Sequence, residues 1–171
     1  MSNAIVTVIM TALMLAGVSI LAQGSFTAVG SVSDSWKDME VRSSALSRTD
    51  MGVLDVSYAT PTLDVTLVNT GGESLRNFGK WDVVAQYYET DGTYNTTYLT
   101  YTTATLGDNE WQKVGIYLDA SASTAEAHQP QILNPGEELV IRLSMTPVAD
   151  AAANNVIVIG TPNGVTVSEP F

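Results

Sequence analysis

No cysteine occurs anywhere in the 171 residues. Disulfides, thiolate nucleophiles and cysteine-based metal sites are therefore excluded. Histidine is represented only by His128, which leaves little room for imidazole chemistry. Lys and Arg total seven, scattered along the chain, against 18 Asp and Glu, for a net charge of −11. Phosphate backbones demand clustered basic side chains, so no nucleic-acid partner is expected. No Ser-His-Asp spacing or phosphate-cradling glycine loop is present. The expectation is a protein that is not an enzyme, with no catalytic residue and no cofactor. Hydrophobic residues make up 45%, enough for an ordered core in one domain, with a second only if it is small.

Charge is also missing locally. From Met1 to Ser33 there is no Asp, Glu, Lys, Arg or His, and no Pro occurs before Pro61. Residues 4–22 (AIVTVIMTALMLAGVSILA) form an apolar run long enough to cross a bilayer as a helix. Its polar members, Thr7, Thr11 and Ser19, have hydroxyls that can bond back to helical carbonyls. Beyond it, Val29, Val32, Trp36, Met39 and Leu46 continue a helical stripe at heptad-like spacing. Asp34–Lys37 and Asp38–Arg42 are spaced for helical ion pairs with the acid first. The pattern predicts one helix from about residue 3 to about residue 50, roughly 70 Å long. Ala12-x-x-x-Ala16 and Gly24-x-x-x-Ala28 are small-residue pairs that let helices approach closely. The candidate helix-packing residues are Ala12, Leu13, Ala16, Gly17, Leu21, Gly24, Ala28, Val29, Val32, Trp36 and Met39.

Three readings compete for this segment. A cleaved signal peptide begins with a positive n-region and has a shorter apolar run; neither is present. A plain single-pass anchor usually carries Lys or Arg on its cytoplasmic flank, and here neither immediate flank is basic. The bare N-terminus suits a type IV filament subunit whose basic leader has been removed, with Met1 as the mature start.

From Met51 the pattern changes to short β-branched runs bounded by turn residues. Strands are predicted at 53–59, 63–69, 81–89, 93–103, 111–118, 138–146, 155–159 and 165–167. Alternation in residues 63–69 (LDVTLVN) places Leu63, Val65 and Leu67 on a buried face. Asp91-Gly92 is a type I′ hairpin signal, and residues 121–129 (SASTAEAHQ) read as an exposed loop. The expected fold class is α+β: a long N-terminal hydrophobic helix (1–50) followed by an immunoglobulin-like antiparallel β-sandwich (51–171).

The charge-poor helix, then LDVTLVNTGG at 63–72 and LNPGEELVI at 133–141, resembles the archaellin family of type IV filament subunits. The closing GTPNGVTV at 160–167 resembles the ending of archaellum stator-type proteins, which share the helix-plus-sandwich plan. Ile5 stands where bacterial type IV pilins usually carry a Glu. The resemblance implies a motility filament subunit: a helical homopolymer at the cell surface, held in the membrane before assembly. It further implies processing by a prepilin-type peptidase, and an assembly ATPase and membrane platform protein as partners. Two alternatives stand beside it: a membrane-anchored accessory or stator-type protein of the same machine, and an adhesion pilin or binding module.

Within 51–171 there are 14 acids against four bases. Asp108-x-Glu110, Glu137-Glu138 and the Asp82/Glu89/Asp91 group have the oxygen chemistry of hard-cation ligands; a solubilising acidic surface is the simpler reading. Glu73 with Arg76 and Asp82 with Lys80 read as surface pairs. Asn95-Thr96-Thr97 is an N-glycosylation triplet. The five tyrosines from Tyr87 to Tyr101 exceed what one strand pair can bury, leaving either cross-strand pairs or an inter-subunit patch.

Overall fold

The computed structural model describes residues 2–171, so the assignment of Met1 as mature start lies outside the described residues. The chain is α+β: one long helix, then nine strands. It divides into two compact units, the first ending at Ser43 and the second spanning Ser44–Phe171. The second unit therefore begins seven residues before the boundary drawn from the sequence at 51, and takes in the last turn of the helix.

The helix α1, Ser2–Arg48, runs for 47 residues, about 70 Å. Lack of proline permits it, although nine Ser, six Val and three Gly are weaker helix formers than Ala or Leu. Its hydroxyls turn inward on its own backbone: Thr7 donates to the Asn3 carbonyl at 2.9 Å, Thr11 to Thr7 at 2.8 Å and Ser19 to Leu15 at 2.9 Å. Ser25, Thr27, Ser31 and Ser35 do the same. Among the described residues the Asp34–Lys37 and Asp38–Arg42 pairs do not form; the two ion pairs present are Arg48–Glu73 and Arg142–Asp64. Exposed pairs gain too little to fix two long side chains.

The strands are β1 (Met51–Ala59), β2 (Thr62–Asn69), β3 (Asp82–Tyr88), β4 (Tyr94–Tyr101), β5 (Glu110–Asp119), β6 (Thr124–Ala125), β7 (Glu138–Ser144), β8 (Val156–Gly160) and β9 (Thr166–Pro170). They follow the spatial order β1-β2-β7-β5-β4-β3-β8-β9, with the short β6 on β5. β1, β2, β7 and β5 make one antiparallel face, and β4, β3, β8 and β9 the other. The two faces meet at one corner, where β4 and β5 pair in parallel over two residues, Thr100 with Glu110 and Tyr101 with Trp111. Elsewhere among the described strands the pairing is antiparallel, as expected. At the opposite side β9 lies along β1, with Tyr58 edge-on to Phe171 at 5.6 Å. The result is a sandwich closed into a barrel-like unit.

Period-two alternation drives the core. In β2 Leu63, Val65 and Leu67 are all fully buried, facing Leu139, Ile141 and Leu143 of β7 in direct register. Trp81, Tyr87 and Trp111 are the largest buried side chains. Residues 121–129 are not wholly loop, since β6 forms within them. The β3–β4 turn also departs from type I′. Gly92 N–H bonds the Glu89 carbonyl at 2.9 Å, and Glu89 N–H bonds Thr93 at 2.8 Å. Only Gly92 has positive φ, at 85°. A type I turn followed by a left-handed Gly closes this three-residue hairpin, because Asp91 would need positive φ in type I′.

The two buried tryptophans differ in one atom's fate. Trp81 Nε1 donates to the Arg76 carbonyl at 3.2 Å, whereas Trp111 Nε1 is buried without a partner. Both substitutions to Phe remove similar volume, but only Trp81→Phe strands an acceptor. Urea unfolding followed by circular dichroism should show Trp81→Phe costing about 1 kcal/mol more than Trp111→Phe.

Candidate functional site

The sequence offers two places where this protein could act on a partner: the apolar helix, and the turns that carry the family-like motifs. The helix-packing candidates Ala12, Leu13, Ala16, Gly17, Leu21, Gly24, Ala28, Val29, Val32, Trp36 and Met39 all lie on α1 and are all exposed. Large apolar side chains stand open along its whole length, Leu13 at 64%, Trp36 at 69% and Met39 at 66%. A Cβ at Gly17 or Gly24 would meet nothing within 4 Å. α1 is long and apolar enough to cross a membrane by length and composition. A soluble helix exposing this much apolar surface is not stable in water, so lipid or other helices must cover it.

The three turn motifs converge on one junction around the last turn of α1. Asn69, fully buried, donates through Nδ2 to the carbonyls of Glu73 at 2.8 Å and Leu133 at 3.0 Å. Its Oδ1 accepts from Gly71 N–H at 3.1 Å. Its own N–H bonds the Glu137 carbonyl, and its carbonyl accepts from Gly136 N–H. The NTGG and NPGE turns, which start 65 residues apart in sequence, are thus one hydrogen-bonded knot. Gly72 N–H then bonds the Arg48 carbonyl at 2.7 Å, and Gly71 N–H the Asp50 carbonyl at 3.1 Å. These satisfy acceptors at the end of the helix, which otherwise go unmatched. From the third motif, Asn163 Nδ2 donates to Thr49 Oγ1 at 3.1 Å, while that hydroxyl donates to the Ala45 carbonyl at 2.7 Å. Glu73 pairs with Arg48 at 2.5 Å and not with Arg76, because the knot carries it to the helix end.

The acidic cation candidates do not come together. Among the described residues no group of three or more His, Cys, Asp or Glu side chains is arranged to hold a metal ion. Each carboxylate instead accepts a local bond: Asp108 from Thr146, Glu110 from Gly107, Glu137 from Asn134, Glu138 from Ala120. Asp82 accepts from the Tyr98 hydroxyl at 3.1 Å, which replaces the expected pairing with Lys80. The Thr93 N–H, then its hydroxyl, hold the Asp91 carboxyl below its ordinary value. The N–H groups of His128 and then Gln129 do the same for Glu126. A lowered carboxyl supports the folded turn above its unfolded value and loses that support as pH falls through the folded one. His128 takes part through its backbone.

Asn95 lies on β4 with its Nδ2 donating to Glu89 Oε1 at 2.7 Å, so the acceptor atom of the glycosylation triplet is engaged and the residue half-buried. Of the five tyrosines, Tyr87 is buried and Tyr101 packs on Trp111 at 4.8 Å. Tyr88, Tyr94 and Tyr98 remain outside, at 38%, 52% and 58% exposure, the first two in ring contact at 5.0 Å.

The junction tolerates no side chain at one position. A Cβ on Gly71 would lie 2.4 Å from Asp50 N and 2.5 Å from the Arg48 carbonyl oxygen, whereas on Gly72 the nearest atom is 4.0 Å away. Gly71→Ala should destabilise the β unit by roughly 2 kcal/mol or more, as for other overpacked sites. Gly72→Ala should change it by less than about 1 kcal/mol, both read by denaturant unfolding.

No family model matches the sequence, and no curated protein sequence matches it. Solved structures do share its fold. One is the archaellum periplasmic stator protein FlaG from Sulfolobus acidocaldarius, at 18% identity and a TM-score of 0.50, covering 72% of this chain and 99% of that one. Another is the archaellum periplasmic stator protein complex FlaF and FlaG from the same organism, at 18% identity and a TM-score of 0.49, covering 71% of this chain and 87% of that one.

Proposed function

We propose that this chain is a membrane-anchored, non-enzymatic component of an archaellum-type motility machine, held in lipid by α1 and working in the cell envelope in an accessory, stator-type role. The observation that carries the reading is the fold shared with the FlaG stator protein over 99% of that chain, joined here to a helix of membrane-spanning length. A stator must be fixed to the membrane or wall against a moving part, and a helix without charge before Asp34 supplies that fixture. Nothing in the role calls for catalysis, which fits the carboxylates being engaged in turns.

A second reading is favoured by one specific observation. The apolar stripe does not stop at the end of the bilayer-length run: Val29, Val32, Trp36 and Met39 stay exposed at 54–69%. A plain anchor has no use for it, whereas the core of a helical homopolymer does. In that reading the chain is an archaellin-like filament subunit at the cell surface, swimming or adhesive. Its partners are then copies of itself, a prepilin-type peptidase, an assembly ATPase and a membrane platform protein.

Shearing cells and comparing the two fractions separates these roles. A stator-type protein stays with the membranes at low copy number; dominance in the sheared filaments would reverse the assignment in favour of the subunit. In both roles Leu13→Arg or Gly17→Glu should reduce membrane retention, since a central charge opposes insertion by about 3 kcal/mol. Carbonate extraction of membranes reads that loss.

A further inference from the structure

The β4 edge is bare. Its pairing with β3 is regular along its length, but on the other side only Thr100 and Tyr101 meet β5. The main-chain groups of alternate residues point to opposite sides of a strand. Thr93 O faces Glu89 of the β3 side, and Thr100 N–H faces Asn109 of the β5 side. Tyr94, Thr96 and Tyr98 therefore aim their N–H and C=O groups at the open side. Natural edges are blunted with Lys, Pro, a bulge or extreme shortness. β4 (YNTTYLTY) has no Lys, no Pro and eight residues, and its pairing carries no register shift. The remaining edges are managed: β6 covers β5, and β1 and β9 lie against each other.

Charge selects the occupant. Residues 92–107 contain no charged side chain in a chain of net −11. The outward positions beside the edge are Tyr94, Thr96 and Tyr98 on β4 and Val84, Gln86 and Tyr88 on β3, with Asp82 next on the same face of β3, bonded to Tyr98. The outward positions of the other sheet include Asp55, Asp64, Glu138 and Arg142. Two copies meeting there would set carboxylates against carboxylates, whereas beside the β4 edge the outward carboxylate, Asp82, is already engaged by the Tyr98 hydroxyl. The outward sequence Tyr94-x-Thr96-x-Tyr98 is also its own complement when reversed. Opposed antiparallel about Thr96, it places Thr96 on Thr96 and Tyr94 on Tyr98, both favourable cross-strand pairs.

We propose that the β4 edge is a self-association site at which β4 of a second copy adds antiparallel, centred on Thr96, to make one sheet across a two-fold axis. About six main-chain hydrogen bonds close the seam, two at each of the three opposed residue pairs. The contact is isologous, and it does not depend on the function proposed above.

The absence of cysteine makes the test clean. Thr96→Cys introduces the sole thiol of these 171 residues, and paired residues of this kind lie about 5.5 Å apart between Cα atoms, within disulfide reach. Membranes carrying this variant are treated with mild oxidant, beside Ser168→Cys on exposed β9 as the control. Expected is a reducible species of twice the 18.2 kDa chain mass, at least ten-fold more abundant for Thr96→Cys than for the control. Adding Tyr98→Lys should abolish it, and adding Tyr98→Phe, which equally lacks the Asp82 bond, should leave it. Cross-linking no greater than the control, insensitivity to Tyr98→Lys, or a disulfide to a different protein in place of the dimer would each overturn the assignment.

Discussion

The carboxamide of Asn69 is the contact that ties the loop after β2 to the turn before β7 and to the end of α1. It is fully buried and hydrogen-bonded at both ends of its amide. Around it, the loop after β2 is held to the turn before β7, and that loop in turn caps the last turn of α1. A buried amide with every group satisfied rigidifies its surroundings, whereas a half-satisfied one would be worse than a hydrocarbon there. The surrounding apolar alternation could form a sandwich without it. What the network adds is a partner for the helix-end carbonyls, which helix geometry alone leaves unpaired.

The two units meet opposite physical demands. One exposes apolar surface along its length and carries no ionisable group for 33 residues; the other encloses its apolar side chains and carries a large excess of acids. Solvent separates such halves: lipid or packed helices suit the first, and water suits the second. This partition is what a lipid- or helix-covered segment joined to a water-facing domain requires, and it holds for stator and filament subunit alike. A shared sandwich fold by itself does not choose between roles, which is why the fractionation of whole cells bears more weight than further comparison of folds.

Much of this architecture can be read from residue order alone. The helix follows from missing charge and proline, and β2 from Leu63, Val65 and Leu67 alternating with polar neighbours, because both signals are local. The back-bonding of Thr7, Thr11 and Ser19 is equally local. What escapes is whatever depends on distant chain coming near. Glu73 finds Arg48 and not Arg76 because the Asn69 network moves it. β4 and β5 run parallel because two sheets meet at a corner, which no period reveals. The hairpin at Asp91-Gly92 was legible as a turn but not as a type, since one added loop residue changes which φ must be positive. The junction was legible only as separate turn motifs; that NTGG, NPGE and TPNG are neighbours is a tertiary fact. Tyr88, Tyr94 and Tyr98 were countable as surplus, but their place beside an unpaired edge needed the sheet order.

Seven hydroxyls on α1 donate to carbonyls of their own helix. Each of these seven hydroxyls thus carries its partner with it and asks nothing of the surroundings. For the uncharged stretch before Asp34, lipid tails and a neighbouring helix are then nearly equivalent hosts, and moving between them makes or breaks none of the six hydroxyl bonds within it. Hydrophobic transfer from water contributes little to such a move, because the helix passes from one apolar medium to another. Its location becomes a matter of which proteins hold it or pull on it, so the same helix can serve as a permanent fixture or as extractable cargo, with the choice made outside the chain.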